Sequence, residues 1–153
     1  IHLLELEHIV NESFRIAHRQ GAVFLMGKTQ RQADSVRETM RKKMRNILQE
    51  HGLSQRQKEQ KHSQLQDLFI ERNSTRIEPI EVSSWQVSNT PQQSIDSWHQ
   101  KEGLAGINPP TAVKESVLSE LATWAETKFS SLETAIESKE AYIIEGFFIP
   151  PKQ

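Results

Sequence analysis

Six apolar residues late in the chain, Leu118, Ala122, Ala125, Phe129, Leu132 and Ile136, follow one another at steps of 4, 3, 4, 3 and 4. That spacing puts all six on one helical face. Val117, Leu121 and Trp124 widen the stripe, while Lys114, Glu115, Glu120, Glu126 and Lys128 fall mostly opposite. Pro109 and Pro110 block helix upstream, and Thr111 can cap the first turn. The pattern predicts one long helix over residues 111–138, whose apolar face other helices must cover.

Two further amphipathic helices are predicted in the first third. Residues 1–20 place Leu3, Leu6, Ile9, Val10, Ile16 and Ala17 on or near one face. Ala33, Val36, Met40, Met44 and Ile47 define a second stripe, in a helix that starts at Thr29 or Ser35 and runs to His51. Gly52 then suits a left-handed residue just past the helix end, with Leu53 placed to fold back on Leu48. Between the two helices, the apolar run from Gly21 to Gly27 has no period of its own. It reads as a buried helical turn, with a short strand as the alternative.

Polarity dominates the middle. Ser54 and Gln57 have the spacing of a capping box, yet residues 54–64 contain no apolar side chain. Only Leu65, Leu68 and Phe69 anchor that helix, at its far end. Residues 71–89 are extended, with one short edge strand among Ile77, Ile80, Val82, Trp85 and Val87, interrupted by Pro79 and by the shift at Ser83 and Ser84. Thr90, Pro91 and Gln93 open a short helix that carries Ile95 and Trp98 and ends before Gly103. After the long helix, Tyr142 to Ile144 and Phe147 to Ile149 form an apolar strand or coil that must pack on the core or on another chain.

These elements predict a mainly α fold, an irregular antiparallel bundle of four or five helices with a minor extended segment. The helix at 111–138 is expected to pack on residues 1–20 and 33–47. The chain divides into a helical part at 1–72, an extended linker with a short helix at 73–110, and the long helix with its apolar tail at 111–153. All three parts are read as one domain.

Composition narrows the functional classes. Of 153 residues, 35% are hydrophobic, so part of the chain must be solvated or dependent on a partner. The absence of cysteine excludes thiol catalysis, disulfides and cysteine-based metal centres, and fits a cytoplasmic setting. No apolar run approaches the length of a membrane span. The net charge of −1 conceals a split, since residues 1–61 hold 12 Lys/Arg against 7 Asp/Glu and the remainder holds 7 against 13.

Candidate chemistry is thin. Gly21 and the sequence Gly27, Lys28, Thr29 imitate a phosphate loop, but five apolar residues separate the glycines where the loop needs four that turn freely. Glu5 with His8, Glu59 with His62, and Asp96 with His99 have the spacing of di-metal carboxylate bundles. The Glu59 pair, however, lies in the most polar stretch, where no dry core can form around a metal. No metal, cofactor or catalytic residue is assigned, and the chain is read as non-enzymatic.

Two binding readings remain. The first is an assembly module that binds other protein subunits, a second copy included, through Trp85, Trp98, Tyr142, Phe147 and Phe148, large rings in a chain poor in apolar residues. The second is a helical subunit of a nucleoprotein complex. It would use Lys28, Arg31, Arg41, Lys42, Lys43 and Arg45 against phosphates, although Glu38 and Asp34 already offset part of that charge.

Overall fold

The structure is a computed structural model that describes residues 4–17, 19–53 and 57–152, the side chains of 57–60 excepted. Among the described residues, five helices and three strands follow in the order α1 (Leu6–Ile16), β1 (Ala22–Arg31), α2 (Val36–Glu50), α3 (Gln57–Glu71), β2 (Thr75–Asn89), α4 (Pro91–Gln100), α5 (Thr111–Phe129) and β3 (Ile136–Ile149). The strands form one antiparallel sheet in the order β1-β3-β2. With 47% helix and 29% strand, the fold is α+β, which overturns the expectation of a mainly α helical bundle.

Each difference has a physical cause. The run from Gly21 to Gly27, favoured as a helical turn, is the body of β1, and its neighbours in the sheet rather than its own period fix it. The long helix stops at Phe129, because Ser130 adopts a left-handed conformation (φ 65°). The hydroxyl of Thr134 then donates to the Phe129 carbonyl, 3.2 Å away. Leu132 and Ile136 still pack on the same core as the helix stripe, so the apolar period outlasts the helix that it described. The extended segment around Ile77–Val87 is no short strand: β2 runs 15 residues straight through Pro79, at the sheet edge where proline costs least. The apolar tail is the central strand, since β-branched and aromatic residues fill the position flanked on both sides.

Several helix termini follow the letters, but α5 does not: Pro110 is its N-cap, with no side-chain cap bond, and Thr111 is already its first helical residue. The Ser35 hydroxyl accepts from the Glu38 N–H at 3.3 Å. At the other end of α2, Gly52 (φ 78°) and Leu53 donate to the carbonyls of Gln49 and Leu48, which closes the helix as the glycine predicts. Thr90 and Gln93 exchange both bonds of a capping box at the start of α4. The matching pattern at Ser54 lies outside the described residues, as do Leu3 and the first turn of the predicted N-terminal helix.

The chain forms two compact units, each assembled from separated pieces. Unit 1 comprises Ile1–Thr29, Arg56–Ser83 and Ala141–Gln153; unit 2 comprises Gln30–Gln55 and Ser84–Glu140. All three strands therefore contribute to both units. In unit 1, α1 packs on α3 over Leu6, Val10, Leu65, Phe69, Phe147 and Ile149. Phe69 is the hub, with its ring centroid 4.7 Å from Phe24, 4.8 Å from Phe147 and 6.2 Å from Phe14. In unit 2, α5 packs on α2 and α4 around Met40, Met44, Ile47, Leu118 and Leu121. Among the described residues, no helix is long and apolar enough to cross a membrane.

Candidate functional site

Strand alternation in unit 1 separates a covered from an uncovered sheet face. On β3, Ala141, Ile143, Glu145, Phe147 and Ile149 are buried, while Tyr142 and Phe148 are 40% and 42% exposed. On β1, Ala22, Phe24 and Met26 turn inward, and Val23 and Leu25 stand 53% and 58% exposed. Side chains on the uncovered face lie flat across glycines. A Cβ at Gly27 would strike the Tyr142 hydroxyl, one at Gly146 would come within 2.8 Å of Leu25 Cδ2, and one at Gly21 within 3.1 Å of Phe148 Cζ. Rings laid over bare backbone level the sheet and join four large apolar residues into one patch.

The opposite face of unit 1 carries a caged carboxylate. Glu145 is buried, with Lys28 Nζ 2.7 Å from one oxygen. His62 Nε2 stands 3.1 Å from the other oxygen, an ion-pair distance without hydrogen-bond alignment. Burial pushes this carboxyl up, but the hydrogen bond and charge of Lys28, joined by His62 and Arg76, outweigh it and hold the group below the ordinary carboxylate range. Because the native value is the lower one, the stabilisation is complete above the unfolded value and disappears as pH falls through the native value. Acid titration followed by circular dichroism is therefore expected to show a shallower acid limb in Glu145→Gln than in the wild type. Equal limbs would mean that the cage contributes nothing to acid sensitivity.

Unit 2 holds a second caged carboxylate. Buried Glu140 accepts from Arg31 Nε at 3.1 Å and Trp85 Nε1 at 3.3 Å, with Arg37 Nη1 3.5 Å away. Glu38 lies 3.6 Å from both Arg31 and Arg41. One carboxylate thus ties β1, β2 and the start of α2 to the central strand.

These contacts place the residues proposed from sequence. Of the basic set, Lys28 faces Glu145, Arg31 and Arg41 face acids, and the Lys43 ammonium sits 5.6 Å above the Trp124 ring. Arg45 is half-buried on α2, and Lys42 is exposed. Of the aromatic set, Tyr142 and Phe148 share the uncovered face of unit 1. Phe147 points the other way, 1% exposed, and stacks on Phe69. Trp85 leans on Glu140, and Trp98 is half-buried against the unit 2 core. Val23 and Leu25 are absent from the set that the sequence offers, because their run is apolar at every position and carries no alternation to show which side chains face outward; only the sheet separates them from Phe24 and Met26. The helix-spaced acid and histidine pairs do not assemble: His62 turns to Glu145, His8 and His99 are exposed, and the Glu59 side chain lies outside the described residues. Among the described residues, no three metal-ligating side chains converge.

Comparison with known proteins adds no constraint, because no protein-family model and no curated protein matches the chain.

Proposed function

We propose that the chain is a non-enzymatic assembly module that binds other protein subunits through the uncovered sheet face of unit 1. The supporting observation is the grouping of Val23, Leu25, Tyr142 and Phe148 on one levelled surface at 40–58% exposure. Leaving such a patch in water forgoes roughly 25 cal/mol for every Å2 that a partner would cover. The nucleic-acid reading draws less support, since Arg31, Arg41 and Lys43 already engage acids or a ring within the fold.

The test compares Leu25→Asp with Lys42→Glu in the full chain, tagged and expressed in its own cells. The expected result is a native complex heavier than the single chain, reduced to single-chain mass by Leu25→Asp and left intact by Lys42→Glu. The reading fails if the wild type already runs as a single chain. It also fails if an oligonucleotide binds with steep salt dependence and Lys42→Glu abolishes that binding.

A further inference from the structure

We infer that the occupant of the uncovered unit 1 face is a second copy of this chain, packed sheet to sheet about a two-fold axis. This inference rests on the assembly reading and narrows it. Three features of the face select a copy of itself over a different partner.

The first is charge. The β1 and β3 positions on this face within unit 1 are Val23, Leu25, Gly27, Thr29, Tyr142, Ile144, Gly146 and Phe148, none of them ionisable near neutral pH. Glu81, on the edge strand β2, is the one acid of that face and falls at its margin. In a two-fold contact each residue near the axis meets its own kind, so fixed charges there would repel. This face avoids that repulsion. It also lacks the charges that would orient a charged partner.

The second is the kind of polar group present. Besides Glu81, the polar side chains on the face are the hydroxyls of Thr29, Thr75, Ser83 and Tyr142. A hydroxyl both donates and accepts, so it can bond to a symmetry-related hydroxyl. The third is area. Four large side chains about half exposed offer on the order of 350–400 Å2 of apolar surface. Doubled by symmetry and extended by the hydroxyl rim, the contact reaches about 1,000 Å2, the lower bound of a specific interface. The levelling of the face by Tyr142, Leu25 and Phe148 over glycines suits the close approach of roughly 10 Å at which sheets stack.

Because the chain has no cysteine, single introduced cysteines report the contact directly. Leu25→Cys, Ile144→Cys and Phe148→Cys sample the face, and Glu78→Cys, exposed on the other side of β2, is the control. The expected result is a wild-type dimer in sedimentation equilibrium and a covalent dimer on mild oxidation from at least one face position. The control should form no covalent dimer on oxidation, and Leu25→Asp should weaken dimerisation at least a hundredfold without changing the circular dichroism spectrum. If Leu25→Asp fails to fold, the cysteine set carries the test alone. A dimer that cross-links through Glu78→Cys and not through the face overturns the inference, and so does a monomer at every concentration. A photoreactive benzoylphenylalanine at Val23, used in the cells of origin, then separates the two levels. An adduct with another polypeptide overturns only the second-copy inference, whereas the lack of any adduct removes the assembly reading as well.

Discussion

Replacing Phe69 with alanine is expected to lower unfolding free energy by about 3–5 kcal/mol. The ring is fully buried and meets Phe14, Phe24 and Phe147, so truncation removes three aromatic contacts and leaves a void bounded by rigid neighbours. Two of those neighbours sit on strands and one on α1, so they cannot collapse into the gap together. Phe69→Leu keeps much of the volume and should cost about half as much. Urea unfolding followed by circular dichroism measures both. A loss below about 1 kcal/mol for alanine would show that the cluster is not tightly packed.

Glu140→Ala is expected to cost about 2–4 kcal/mol, somewhat less than a fully enclosed pair because Arg31 and Arg37 retain access to water. The carboxylate loses three contacts at once, and the Trp85 indole N–H loses its acceptor. Glu140→Gln restores an acceptor without charge and should recover roughly half of the loss. A double-mutant cycle with Arg31→Ala should return a coupling of about 1–2 kcal/mol. Additivity within about 0.3 kcal/mol would mean that Arg31 and Glu140 coexist without depending on one another. Trp85 emission gives a second readout, since removing the acceptor changes the indole environment.

Legibility in the sequence divides along a physical line. Where a helix end is fixed by a cap or a glycine within a few positions, the letters often suffice. The glycine stop at Gly52 and the capping box at Thr90 form as the letters predict, and of the two starts offered for α2 the structure takes Ser35, Thr29 lying in β1. The sheet is not legible in the letters because its strands owe their state to distant partners, β1 and β3 lying more than a hundred residues apart. Gln32, for example, accepts from the backbone N–H of Lys139. No window across Gly21 to Gly27 contains that information. The run at Leu118–Ile136 misled for the opposite reason: helical spacing continued by coincidence past Ser130, where the backbone turns. In the candidate site, Tyr142 and Phe148 were visible as large rings in a polar chain. Their facing away from Phe147 follows only once the segment is known to be a strand.

The strand order carries one more consequence. Among the described residues, β1 and β2 each pair with β3, and β3 is the last of the three to leave the ribosome. More than a hundred residues separate β1 from β3, a high-contact-order pairing that favours slow folding. Until β3 emerges, β1 and β2 wait unpaired, and the nascent chain depends on whatever shields them during translation.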